Sequence, residues 1–195
     1  MAVLEFRRAV SARAIPLTVF IDLQAEYAAE GRAYNLTNIG GCLSNCRTLL
    51  NECRRLGLPI AHFRQLRPQA FFNTASRFSH WLPEFRPKPS EMVFERSLPS
   101  CYSNKEFCAL VDSIDSPMIV LAGLTGERAC LSTTIDAFHR GHVAVFIADA
   151  SATRPLSGLS ADDSHSAIAK VVSVYGEVTS TREFLDRIAT IDPIV

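Results

Sequence analysis

Three apolar runs without polar alternation constrain this chain more than any other feature: PLTVFID (16–22), PMIVLAG (117–123) and HVAVFIAD (142–149). A strand with one face in water alternates apolar and polar residues, so unbroken runs of this length belong to strands covered on both faces. Shorter strands are predicted at LPIAHF (58–63), MVFE (92–95) and GEVTS (176–180). Helices are predicted between them. Over 42–56, Leu43, Cys46, Leu49, Leu50, Cys53 and Leu56 share one helical face, and Gly57 ends the helix. Residues 104–114 read as helical. So do residues 127–140, with Glu127 near the start and His139 and Arg140 near the end, as the helix dipole favours. A further helix runs over 160–175 from a Ser160 N-cap. Ser180 and Glu183 have the capping-box spacing of a last one. Strand and helix in alternation imply an α/β fold, a parallel sheet with helices on both faces, in a single domain over 1–195.

Composition narrows the function classes. Twenty Lys and Arg balance twenty Asp and Glu, so no positive field exists to hold a polyphosphate backbone, and no nucleic-acid partner is expected. No stretch reaches membrane-spanning length. The first residues carry Arg7, Arg8 and Arg13 but no apolar leader core, so no membrane partner and a cytoplasmic location are expected. The six cysteines (42, 46, 53, 101, 108 and 130) read as reduced core thiols. Cys42 and Cys46 lack a second Cys or His pair at zinc spacing. No metal and no cofactor are expected.

Ligands of such sheets bind beyond the carboxyl ends of the strands. The residues that the predicted strands deliver there are Asp22, His62, Arg96, the 123–130 turn and Asp149. Gln24 and Tyr27 are expected beside Asp22, with Trp81 or Phe72 closing the pocket. Residues 66–91, with four prolines and five large aromatics, form a long connection that reads either as a lid or dimer arm or as a plug for the core edge. His80, His139, His142 and His165 read as loop, surface or helix-end residues.

Three blocks, FIDLQAEY (20–27), EMVFERSLPSCYSN (91–104) and AGLTGERACLSTTIDAFHRGHVAVFIADA (122–150), resemble the isochorismatase-like (cysteine hydrolase) superfamily. That superfamily includes nicotinamidases, N-carbamoylsarcosine amidases and isochorismatases. The resemblance covers most of the chain. It implies a Rossmann-like three-layer α/β/α sandwich with a mainly parallel sheet, assembled as a homodimer or larger homo-oligomer. Its amidases use an Asp, a Lys and a nucleophilic Cys. The resemblance places Asp22 at the Asp, Arg96 at the Lys and Ala129 at the Cys; Cys130 falls one residue late. It also implies a cis Leu124–Thr125 bond, an oxyanion hole from the Thr125 and Ala129 N–H groups, and Tyr102 and Thr125 among the substrate contacts. Alanine cannot attack a carbonyl, and arginine does not share a proton as lysine does. Ala129-Cys130 is similar to the Gly-Cys pair of the isochorismatases, which cleave a vinyl ether without a covalent step.

Two expectations follow. One is a hydrolase of a small anionic molecule that works without a covalent cysteine intermediate, with Asp22 as general acid or base and Arg96 on an anionic group. The other is an inactive pseudoenzyme that binds a ligand or partner through the same pocket.

Overall fold

The structure is a computed structural model that describes residues 15–68 and 71–189. The reading of the arginine-bearing N-terminal stretch falls outside the described residues. Six strands form one sheet: β1 (Leu17–Ile21), β2 (Ile60–Gln65), β3 (Met92–Arg96), β4 (Met118–Leu124), β5 (Val143–Ala152) and β6 (Glu177–Thr179). Their order is β3-β2-β1-β4-β5-β6, and every neighbouring pair is parallel. The helices are α1 (Ala25–Ala28), α2 (Gly40–Leu56), α3 (Lys105–Asp112), α4 (Leu131–His139), α5 (Ala161–Tyr175) and α6 (Thr181–Ile188).

Strand alternation divides the core into two layers. Phe20, Val120 and Ala122 face Leu49, Leu50, Phe184 and Ile188 of α2 and α6. Val19, Ile21, Ile119 and Leu121 face Phe107, Ala137, Ile168 and Val172 of α3, α4 and α5. This is the three-layer α/β/α sandwich expected, its sheet wholly parallel. Cys42, Cys46 and Cys53 lie on the buried face of α2 as small apolar groups. Gly57 ends α2 in the left-handed conformation, at φ +68°. The capping box of α6 forms as its spacing predicts: Ser180 accepts from the Glu183 N–H, and Glu183 reaches back to the Ser180 N–H.

Three boundaries differ from the sequence reading. β2 continues through Gln65, so His62 is mid-strand and not at a strand end. β5 continues past Asp149 to Ala152 because its register with β4 jumps from Leu121↔Phe146 to Gly123↔Ser151, a bulge that absorbs the extra residues. The helix predicted over 127–140 is two elements. A π-turn at Gly126–Cys130, in which the Thr125 carbonyl accepts from the Ala129 and Cys130 N–H groups, precedes α4.

In the 66–91 connection, Phe72 and Phe85 are fully buried in the core beneath α2, as a plug would be. Two short 3-10 turns, Arg77–Ser79 and Pro83–Phe85, carry the chain back toward the start of β3: the His80 carbonyl accepts from the Ala25 N–H at the carboxyl edge, and the Arg86 carbonyl accepts from Arg54 near the end of α2. Among the described residues no helix is long and apolar enough to cross a membrane.

Candidate functional site

Successive strands run outward in opposite directions from the β1–β4 pair, which makes that pair the switch point where parallel sheets of this kind open a ligand crevice. Asp22 follows β1 there, and the π-turn follows β4. The two strands approach closely because residue 123 is glycine. Its φ is +117°, and a Cβ would collide with the Ile21 carbonyl.

Asp22 itself sits at φ +51°, held by its N–H on the Phe63 carbonyl (2.9 Å) and its carbonyl on the Gln24 N–H (2.7 Å). Its carboxylate is 1 % exposed. Oδ2 accepts from the Arg96 guanidinium at 2.5 Å, while Oδ1 is buried with no hydrogen-bond partner. Burial pushes this carboxyl up to about 6, against the opposing fields of Arg96 and Arg128. Arg96 is the last residue of β3, in register with Gln65 of β2, and its side chain reaches across the end of β2 to Asp22. A second N–H donates to the Leu98 carbonyl at 2.6 Å. The guanidinium is buried, with Asp22 as its ion-pair partner.

The π-turn brings Ala129 and Thr125 to the same edge, both buried. The Leu124–Thr125 bond is cis, as the resemblance implied. The oxyanion hole does not form as implied, because the Ala129 N–H already donates to the Thr125 carbonyl at 2.9 Å. Glu127 supplies negative charge to this turn from within the chain. Burial raises its carboxyl, against hydrogen bonds from its own N–H, the Arg154 N–H and the Thr125 side chain. Cys130 points into the packed α4 layer, 3.7 Å from the Ser151 hydroxyl and 0 % exposed, and burial pushes its thiol far up. It has none of the thiolate character that a nucleophile needs.

The other expected residues divide. Tyr27 lies at the site: its hydroxyl is 3.5 Å from the Gln65 amide and feels Asp22, Arg96, Arg154 and Arg128. Gln24 is buried beside it, but its amide is fully engaged. It donates to the carbonyls of Gln65 (3.1 Å) and Ser79 (2.7 Å) and accepts from the Gln65 N–H (2.8 Å). Gln24 thus ties the end of β2 to the 66–91 connection, with no group left for substrate. Trp81 bridges to Gln24, with the Arg64 guanidinium 4.7 Å above its ring. Tyr102 is a correction. Its hydroxyl meets His142 Nδ1 at 2.7 Å, and His142 immediately precedes β5, at the opposite, amino edge of the sheet.

Asp149 and His62 have structural partners. Asp149 Oδ1 accepts from the Thr181 N–H and hydroxyl, both at 2.7 Å, at the start of α6. His62 stacks on Phe20 and meets Glu91 at 2.9 Å. Three site residues escaped the sequence reading: Cys101, Arg128 and Arg154. The Cys101 thiol is buried beside Arg96. Burial pushes it up to about 12, although the guanidinium pulls it down. Its place in the SCYS stretch directly after the Arg96 strand was the available signal.

A cleft of about 510 Å³ opens farther along the same edge, lined by Leu66, Arg67, Pro68, Asn73, Thr74 and Ala75. Asp22, Arg96 and Ala129 do not line it and are themselves buried. Among the described residues no three His, Cys, Asp or Glu side chains cluster to hold a metal ion.

The Isochorismatase domain family matches residues 16–183. The isochorismatase family protein YddQ of Bacillus subtilis (strain 168) is 25 % identical over 173 residues, 85 % of this chain and 96 % of that protein. A cysteine hydrolase from Pseudomonas syringae pv. phaseolicola 1448A superposes with a TM-score of 0.81 at 16 % identity, covering 90 % of this chain and 93 % of that one. An isochorismatase from Pseudomonas putida KT2440 does so at 0.78 and 23 % identity, covering 87 % and 89 %. At such identities the solved structures speak for the fold alone. The domain match spans the whole sheet, from the strand that precedes Asp22 to the helix that begins after Ser180, and the chain therefore belongs to the isochorismatase family.

Proposed function

We propose that this protein is a hydrolase of a small anionic molecule that works without a covalent cysteine intermediate, with Asp22 as general acid. The observation that carries this reading is the Asp22 carboxyl: buried, held on one oxygen by Arg96, unpartnered on the other, and pushed up to about 6. An acid in that state keeps a proton into the range where enzymes work, and its free oxygen is the one that can deliver it. Asp22 gives its proton to the leaving oxygen of the bond to be cleaved, and that bond breaks with the oxygen departing as a neutral alcohol. Water adds to the cation left behind, and the proton it releases returns to Asp22. Arg96 stabilises the carboxylate in between, at a fixed distance and without reorganisation. No side chain at position 129 can form a thioester.

Binding without turnover is the second reading. It is favoured by the Ala129 N–H, which is engaged within its own turn and so does not face a ligand oxygen. A turnover screen of small carboxylates, amides and enol ethers separates the two. The hydrolase reading expects turnover that Asp22→Asn abolishes and that falls as pH rises through about 6, where the acid loses its proton. Absence of turnover across the screen, with binding retained, supports the second reading. A cytoplasmic homodimer is part of the same proposal, and light scattering that returns a monomer at micromolar concentration contradicts it.

A further inference from the structure

We propose that the outer face of α5 is the contact between two copies of this chain, packed antiparallel about a two-fold axis between Ser166 and Ala167. The inference rests on the proposed homodimer, to which it gives a surface, and not on the chemistry of Asp22. Apolar exposure is concentrated around this helix. Of the nine large apolar side chains left exposed among the described residues, five lie there: Val171 and Val174 on α5, Leu156 and Leu159 in the turn that leads into it, and Phe138 on α4 beside it. Val174 is the most exposed of the nine, at 68 %. The Phe138 ring stands edge-on to Tyr175, 5.6 Å between centres, and joins the two helices into one surface. Single exposed apolar side chains need no explanation, but a gathered set marks a surface that is covered in use.

The order of residues on that face names the occupant. Ser164, Ile168 and Val172 turn inward, while Asp163, Ser166, Ala167, Lys170 and Val174 follow one another at helical spacing on the outer side. Together with Leu159 they pair off about the point between Ser166 and Ala167: Leu159 with Val174, Asp163 with Lys170, Ser166 with Ala167. A contact between identical chains related by a two-fold axis must be complementary to itself, residue i meeting j and j meeting i. This face meets that condition, apolar against apolar and acid against base. Turned antiparallel about the midpoint, α5 sets Val174 against the partner's Leu159 and Lys170 against the partner's Asp163, each pair twice. Ser166 and Ala167 carry no long side chain at the crossing, which lets the two helix axes come close. Both charges are available. Among the described residues neither Lys170 nor Asp163 makes an ion pair. Asp163 Oδ2 accepts from the Ser160 hydroxyl at 2.7 Å, which leaves Oδ1 for an ammonium group.

Sedimentation velocity of the full chain at micromolar concentration tests the assignment. The wild type is expected to sediment as a dimer. Lys170→Asp sets acid against acid at two symmetric points and is expected to weaken the dimer about a hundredfold or more, as like charges brought together across an interface do. Val174→Glu, which places a charge at the apolar pair, is expected to dissociate it as well. Asp163→Lys combined with Lys170→Asp exchanges the two charges and is expected to restore the dimer, an outcome that a misfolded single variant does not permit. The bond from the residue 163 N–H to the Ser160 hydroxyl is a backbone bond and survives the exchange, so the start of α5 stays capped. A monomeric wild type, a dimer that withstands Lys170→Asp and Val174→Glu, or a double variant that stays monomeric overturns the proposal. The failures are distinguishable. A dimer that withstands both single variants keeps the proposed homodimer and removes this surface, whereas a monomeric wild type removes both. In either case turnover that Asp22→Asn abolishes leaves the hydrolase reading standing.

Discussion

Asp22 and Glu91 are both buried acids that face an arginine, one at the carboxyl edge of the sheet and the other beneath α2. Their side chains are 1 % and 6 % exposed. Burial raises the pKa of each, yet they end on opposite sides of the ordinary range. Both Glu91 oxygens are satisfied: Oε1 accepts from Arg54 Nε (2.6 Å), and Oε2 accepts from Arg54 (2.9 Å) and the Lys88 N–H (2.8 Å) and meets His62 at 2.9 Å. Against the burial penalty, those bonds bring the carboxyl down to about 2. Asp22 has one arginine bond and an orphan oxygen, so burial prevails and the carboxyl rises to about 6. The number of donors, more than the presence of an arginine, separates an acid that fastens α2 to the sheet from one that can exchange a proton.

The largest expected difference between the two is catalytic. Asp22→Asn is expected to lower turnover about a hundred- to ten-thousand-fold, the range of general acid–base catalysis, while Glu91→Gln leaves turnover near wild type. Steady-state rates on the substrate found in the screen check this, and equal losses in both variants would erase the distinction. Next in size is the stability cost of Arg96→Met, which leaves the Asp22 charge buried without its partner and should cost about 3 kcal/mol at about pH 8. With Arg96 gone the Asp22 carboxyl rises further. The folded state then favours the proton-bearing form, so the penalty shrinks as pH falls from about 8 toward about 6, below which Asp22 holds its proton in the wild type as well. Urea unfolding at both ends of that range measures it.

Glu91→Gln should cost about 2 kcal/mol at neutral pH through lost charged hydrogen bonds. Because the Glu91 carboxyl is depressed, its contribution is present above its ordinary 4.5 and lost as pH falls through about 2. Asp22 and Glu91 therefore predict opposite slopes of stability against pH. The smallest effect belongs to the thiols. Iodoacetamide should leave the fully buried Cys130 unlabelled in the native protein. Labelling of Cys130 at the rate of an exposed thiol would shift the register of the site by one residue.

The features legible in the sequence were those set by local pattern. Unbroken apolar runs announced β1, β4 and β5. Ser180 with Glu183 announced the start of α6, and the chain's alternation announced the parallel sheet that brings Asp22 beside Arg96. What stayed hidden depends on contacts distant in sequence. Nothing local shows that β2 runs on to Gln65 and so leaves His62 in mid-strand, or that Tyr102 turns its hydroxyl toward the amino edge to meet His142. The self-satisfied π-turn was hidden because a π-turn and an α-helical first turn share one apolar pattern. Arg154 lies past a bulge that carries β5 beyond Asp149, where strand patterning gives no signal.

A site-resolved titration of the two carboxyls by carbon NMR, with Asp22→Asn and Glu91→Gln assigning the signals, tests most directly whether Asp22 holds a proton to give. A midpoint near 6 is expected for Asp22 and one near 2 for Glu91. An Asp22 midpoint at or below the ordinary aspartate value of 3.8 would contradict it, because Arg96 would then hold a permanent carboxylate with no proton to give.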